Sequence, residues 1–441
     1  MSTSRFSFAL SVLAGAVLLF ACGGEEGESG GKKLTIWWAQ WAPADGLAEL
    51  GREFEREKGI PVEVHQTPWT SYQEQVFMNF GNKKTDFDIV IGDSQWIGRG
   101  ATEGLYLELT DWLPTAIDMS TVHPRAAKYL CEYPSGSGKF WAAPCETDAI
   151  GVIYRKDWFE DAGERERFQA KYGYPLAPPG DWSQFRDIAE FFHRPGEQRF
   201  GCAILTGRGY DTLTMGFQQF LWAFGGAWCD EKTGKVAGSL NGPGAVEAVQ
   251  FMRELLKFSP NGGKNLDYAK ALEVFKNGST AMSLDYFAFF PGVAEEMKGK
   301  AGFAVMPGHE GRRSVSLGGQ GMSISAKTPA AQQDLAKEFI RWFLQVEVQK
   351  KWITKPAGFT ASTEILKSEA FRNATPYNAP FADSLDHVRD FWNVPVFNEL
   401  LSAAQRVLGE LVDDPELAIQ PKLDELAAEH EKILREAKLL P

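Results

Sequence analysis

The chain has 441 residues, 44% of them hydrophobic and 24% charged, which fits a folded globular protein and excludes a disordered, collagen-like or small disulfide-scaffold class. At this length two domains are expected. Asp and Glu outnumber Lys and Arg by 58 to 46, a net charge of -12, and no basic run interrupts that acidity, which argues against a nucleic-acid partner. The 14 Trp and 31 Phe give more ring surface than a core of this size needs, so most of it is core and part of it is free to meet a ligand.

The first residues set the compartment. Arg5 precedes an apolar run over 6–20, then Ala21 and Cys22, which reads as a signal peptide over 1–21, too short and too close to the terminus for a stable span. Leu19-Phe20-Ala21-Cys22 resembles a bacterial lipobox, in which Cys22 is diacylated, although Phe20 replaces the usual small residue. Residues 22–33 are then a lipidated, solvated tether, and the protein is exported and anchored at the cell envelope, in the periplasm or on the outer face of the cytoplasmic membrane. Four further cysteines outside the cytoplasm favour disulfides over metal ligation. Of the three possible pairings, Cys131 with Cys145, across the turn-forming 135–139, and Cys202 with Cys229 are expected.

In chain order, 33–38 reads as a strand. Leu47, Leu50 and Phe54 mark a helix ending at Gly59, and 60–65 alternates as a second strand. Tyr72, Val76, Phe77 and Phe80 mark a helix ending near Gly81, and 87–91 is a fully buried strand. This alternation implies a parallel sheet covered by helices, with ligands beyond the carboxyl ends of its strands, at the loops 39–42 and 92–96. After Pro144, 149–154 forms a strand, and Asp181 caps a helix carrying Trp182, Phe185, Ile188 and Phe192. Further helices are expected over 212–224, 243–258, 266–277, 329–353 and 421–438, the last packing Leu423, Leu426, His430 and Ile433 into the core. There is no internal repeat.

Several chemistries lack their residues. Gly138-Lys139 is followed by Phe140 and Tyr133 holds the place of the first glycine, so the phosphate-loop pattern fails. The six histidines are scattered with no i,i+4 pair, there is no Gly-x-Ser-x-Gly elbow, and no metal or cofactor is expected. Glu146 and Asp148, at i,i+2, are the one pair of carboxylates placed for glycoside hydrolysis.

From Pro144, the stretch Pro-Cys-Glu-Thr-Asp-Ala-Ile-Gly-Val-Ile-Tyr-Arg-Lys-Asp-Trp-Phe-Glu-Asp-Ala-Gly resembles the signature of the family 1 extracellular solute-binding proteins of bacterial ABC importers. Pro178-Pro179-Gly180-Asp181-Trp182-Ser183-Gln184-Phe185, Phe224-Gly225-Gly226, 275–282, Gly318-Gly319-Gln320-Gly321 and 339–343 follow in the family's order. The resemblance implies an α/β, two-lobe periplasmic-binding-protein-like fold of type II. Each lobe is a mostly parallel sheet flanked by helices, with several crossing strands at a hinge that closes on a solute. Residues 34–144 plus 303–355 form the N-terminal lobe and 145–302 plus 356–441 the C-terminal lobe, with crossings near 145–148, 303–307 and 355–360. By resemblance, Asp148 accepts hydrogen bonds from sugar hydroxyls, and Trp41, Trp96 and Tyr286 offer ring faces to the solute. Gln40, Asp93, Tyr210, Asp211, Asp285 and Gln320 complete the expected ligand-binding set, with Asp93 also read as a helix cap and Gly319 and Gln320 as backbone geometry at a lobe edge. The implied partners are a small neutral sugar, oligosaccharide or polyol, the transmembrane subunits of an ABC permease, and the membrane through the lipid anchor, for a monomer that is not an enzyme. The alternatives are a surface glycoside hydrolase using Glu146 and Asp148, and a solute sensor of the same fold.

Overall fold

Three strands open the fold, β1 (Leu34–Ala39), β2 (Val62–Thr67) and β3 (Ile89–Asp93), joined by helices Ala42–Lys58 and Trp69–Phe80 in a computed structural model that describes residues 33–440. β1 pairs in parallel with both others, as the strand–helix alternation predicts, and the order is β2-β1-β3. The first helix buries Leu47, Leu50 and Phe54 on one stripe and stops at Gly59, whose φ of 69° a side chain would resist. The second buries Tyr72, Val76 and Phe80. The expected signal peptide over 1–21 and the lipidation site Cys22 lie outside the described residues.

The remaining strands are β4 (Ala143–Arg155), β5 (Phe200–Ala203), β6 (Thr280–Tyr286), β7 (Ala301–Val305), β8 (Val315–Ile324) and β9 (Val388–Arg389). β4, with 13 residues, does two jobs. Its first half, up to Ala149, runs antiparallel to β8, which in turn pairs with β3; its second half, from Ile150, runs antiparallel to β6 and β7. The sheet path is therefore β2-β1-β3-β8-β4-β6-β5, with β4 carrying the chain from one α/β lobe to the other. Phe359 O accepts the Thr147 N–H at 3.3 Å, which sets the 355–360 segment beside the middle of β4. β7 stays within the second lobe's pairing, and β8 is the second strand shared between the lobes.

Asp181 caps helix Trp182–Phe192, its Oδ1 accepting the Gln184 N–H at 2.9 Å. The expected helix over 329–353 is two, Ala330–Phe343 and Val346–Trp352. Gln345 turns extended between them, and Gln349 Nε2 donates to the freed Phe343 carbonyl at 2.8 Å. Helix Phe397–Asp413, which the periodicity reading passed over, packs on helix Thr212–Ala223, where Gln405 Oε1 accepts from Thr214 N at 2.9 Å. His430 is fully buried and bonded to Leu400 O, a core residue as expected. No helix among the described residues is long and apolar enough to cross a membrane.

The disulfide expectation is corrected: Cys131, Cys145, Cys202 and Cys229 are all free thiols. Across the 132–140 hairpin, Cys131 O accepts from Trp141 N at 2.8 Å and Ala142 N at 3.4 Å, so its opposite number is that pair, with Cys145 further along β4. Cys202 is buried against Leu255 O, at 3.6 Å, and Ser259. Cys229 is half-buried, beside Trp228 and Arg389.

Candidate functional site

The ends of β1, β2 and β3 meet one cavity of about 160 Å³. Gln40 and Trp41 follow β1, Trp69 follows β2, and Asp93 and Gln95 end β3 and begin the next turn, so three parallel strands deliver side chains to one place, as the strand-end rule requires. The opposite wall comes from the second lobe: Asp211 at the start of helix Thr212–Ala223, Tyr268 at the start of helix Tyr268–Lys276, and Tyr286 and Phe289 after β6. The floor is the shared pair of strands, Asp148 on β4 facing Gly318 on β8, with Gln320 beside them.

Seven of the ten expected residues therefore line the cavity: Gln40, Trp41, Asp93, Asp148, Asp211, Tyr286 and Gln320. Three stand behind it. Trp96 is fully buried, stacked near-parallel to Trp69 at 6.3 Å, and its Nε1 donates to Tyr210 Oη at 2.9 Å. Tyr210 spends its ring edge-on against Trp69, at 5.7 Å, and its hydroxyl on Asp93 Oδ2 at 3.5 Å, so it braces the wall from the second lobe. Asp285 is fully buried, with Oδ1 accepting from Tyr286 N at 2.8 Å. Trp69, Gln95, Tyr268 and Phe289 are cavity residues outside the expected set. Trp69 was reachable by the same strand-end rule; Tyr268 was not, because it reaches the cavity only by folding back 57 residues to bond Asp211.

The second wall is internally tied. Tyr268 Oη donates to Asp211 Oδ1 at 3.0 Å, and Tyr286 Oη to Leu317 O at 3.1 Å. Asp148 Oδ1 accepts from Ala149 N at 2.7 Å, and both its oxygens accept from Ala288 N at 3.2 to 3.3 Å. Tyr286 lies so close over β8 that a Cβ at Gly318 would sit 2.6 Å from its ring, and Gly319, at φ 89°, takes the left-handed backbone that favours glycine. The first wall is looser. Trp41 Nε1 and Gln95 Oε1 are buried without a partner, and Asp93 is met only by Ser94 Oγ at 3.4 Å and Tyr210 Oη at 3.5 Å.

Desolvation pushes the Asp93, Asp148 and Asp285 carboxyls well above the ordinary range, with the Asp211 and Asp390 charges adding to the effect at Asp93. Asp211 is pushed up to about 7 by burial, against the lowering effect of the Tyr268 hydroxyl. Asp93 caps the short turn Ser94–Trp96 by position only, since its side chain makes no cap bond. Glu146, the partner of Asp148 in the hydrolase alternative, is fully buried, has no partner for either oxygen, and lies outside the cavity wall. Among the described residues no group of acids, histidines or cysteines is placed to hold a metal ion.

Comparison with known proteins agrees with this architecture. Residues 35–350 match the family model of the bacterial extracellular solute-binding proteins. A probable ABC transporter-binding protein of Deinococcus radiodurans is 25% identical over 73% of this chain and 74% of its own, and the mannitol-binding protein of Pseudomonas aeruginosa is 26% identical over 64% of this chain and 63% of its own. The diacetylchitobiose-binding protein DasA of Streptomyces coelicolor is 23% identical over 83% of this chain and 84% of its own. Among solved structures, a solute-binding protein of Agrobacterium radiobacter in complex with ribitol superposes with a TM-score of 0.77 at 22% identity, covering 91% of this chain and 99% of its own. Two lobes sharing β4 and β8, a cavity between them, and a family match over most of the chain lead to one conclusion: this protein belongs to the bacterial extracellular solute-binding proteins.

Proposed function

We propose that the protein is the capture component of an ABC importer, which holds a carbohydrate or polyol in the interlobe cavity, passes it to the transmembrane permease subunits and performs no reaction on it. The cavity itself carries the reading. Ring faces from Trp41, Trp69, Tyr286 and Phe289 stand beside buried hydrogen-bonding groups, and no Lys or Arg is present to hold a phosphate, sulfate or carboxylate. The mannitol- and diacetylchitobiose-binding relatives and the ribitol-bound neighbour support the same class. A cavity of about 150 Å³ is enough to take up benzene, so the present one suits a single six-membered ring or an open polyol of similar bulk. The hydrolase alternative finds no support in the cavity, because Glu146 has no access to it.

The lobe boundaries expected from the sequence, 34–144 plus 303–355 and 145–302 plus 356–441, are part of the same proposal with one shift: β7, over 301–305, goes with the second lobe in which it pairs, giving 34–144 plus 306–355 and 145–305 plus 356–441. Export as a Cys22-anchored monomer belongs to the proposal as well. A thermal-shift panel tests the function: monosaccharides and hexitols are expected to raise the melting temperature, by about 2.7 kcal/mol of stabilisation at a hundredfold excess over Kd, while phosphate and free amino acids leave it unmoved. A shift with phosphate or an amino acid, and none with any sugar or polyol, overturns the solute class.

A further inference from the structure

The cavity holds three carboxylates, Asp93, Asp148 and Asp211, and no cationic side chain lines it. The basic residue nearest in sequence, Arg208, turns away to Asp413 and to Gly409 O. Asp148 is answered by the Ala149 and Ala288 amides, and Asp211 in part by Tyr268. Asp93 has only two hydrogen bonds at the outer limit of length, although it is 9% exposed.

A second and independent shortage lies beside it. Gln95, 2% exposed, lines the cavity with an Oε1 that nothing in the protein satisfies. Acceptors therefore outnumber donors on the wall, and burial favours the protonated form of the Asp93 and Asp211 carboxyls unless a cation meets them. Hydroxyls of a neutral sugar would supply hydrogen bonds but would not offset ionisation of either carboxyl, which costs several kcal/mol per ion. An ammonium supplies both, and the rings of Trp69, Tyr286 and Phe289 give it the faces that attract a desolvated cation. Asp93 comes from the first lobe and Asp211 from the second, so such a group would join the lobes as they close.

We propose that the solute is an amine-bearing carbohydrate or polyol, whose ammonium group is held between Asp93 and Asp211 while a hydroxyl donates to Gln95 Oε1. This rests on the carbohydrate or polyol reading above and replaces the neutral solute expected from the sequence.

Calorimetric titration at neutral pH with matched probes tests it: glucosamine against glucose, galactosamine against galactose, and 1-amino-1-deoxysorbitol against sorbitol. In at least one pair the amine is expected to bind about tenfold tighter or more than its parent, and N-acetylation is expected to abolish the gain. Asp93→Asn is expected to remove the gain, so that amine and parent bind the variant alike whatever the affinity of the parent; Asp211→Asn serves the same purpose if the first variant does not fold. Parents that bind as tightly as their amines, or an amine advantage that survives both substitutions, overturn the proposal and leave the carbohydrate reading standing. Failure of all six compounds to bind overturns both.

Discussion

The two walls of the cavity are built on opposite plans. On the second-lobe wall and the floor, the polar groups have partners inside the protein: Tyr268 with one oxygen of Asp211, Tyr286 with Leu317 O, Asp148 with the Ala149 and Ala288 amides. On the first-lobe wall, Trp41 Nε1 and Gln95 Oε1 are free and Asp93 is barely met. A tied wall is preorganised and keeps its shape without a solute. An untied wall contains buried groups whose hydrogen bonds only a solute can complete, and selectivity follows from such groups because a solute lacking the complement leaves them unpaired. Substitutions on the tied side should thus lower stability and affinity together, whereas those on the free side should lower affinity alone.

The largest effect is expected from pH. Asp211 has a folded-state pKa near 7 against an ordinary value of 3.8, so between those limits the native protein holds a proton that the unfolded chain has released. The contribution is full below about pH 4, declines as pH rises toward 7 and stays lost above it, for a total on the order of 4 kcal/mol. The ligand-free protein should accordingly be more stable at pH 5 than at pH 8, and Asp211→Asn should flatten part of that slope, as read from urea midpoints at both pH values. Parallel slopes for parent and variant would show that Asp211 ionises freely and that the second wall is less tightly closed than its bonds indicate.

Asp148→Ala comes next. Removing the carboxylate leaves the Ala288 N–H buried without an acceptor and frees the turn that carries Phe289, so stability should fall by about 1 to 3 kcal/mol. Affinity for the solute should fall alongside by about 1.5 to 3 kcal/mol, roughly 10- to 150-fold. A variant with weakened binding and unchanged unfolding would move Asp148 from the tied group to the free one.

The same contrast explains what could be read from the sequence. The first wall was legible because it follows a local rule: a strand of five or six residues, then a loop, with Gln40, Trp41 and Asp93 within two residues of a strand end. Asp148 and Tyr286 came through the family resemblance, on motifs that continue β4 and β6. What failed was long-range or rotameric. Nothing in local spacing says that Tyr268 folds back onto Asp211, or that Trp96 turns inward to Tyr210 while Trp69, at the start of the helix after β2, faces the cavity. The cysteine pairing failed because an even count in an exported chain constrains partners only by number, whereas the hairpin register sets Cys131 against Trp141 and Ala142.

The smallest effect, and the sharpest test of the contrast, belongs to Trp41. Its ring lies edge-on to Trp38 at 5.6 Å, and Trp38 Nε1 is engaged by Gln320, so the Trp41 indole is held in place while its own Nε1 points at nothing in the protein. Trp41→Phe keeps an aromatic face over the cavity and removes that one donor. Because the donor is unpaired in the free protein, its loss relieves a buried unsatisfied group, and the unfolding midpoint should hold or rise slightly. Because the bound solute is the one available acceptor, affinity should fall by about 0.5 to 1.5 kcal/mol, roughly two- to twelvefold. A solute lacking an acceptor at that position, such as the deoxy analogue of whichever sugar or polyol binds, should bind parent and variant equally. A variant that loses stability but keeps its affinity would mean that the Trp41 N–H already has a partner and that the first wall is tied like the second.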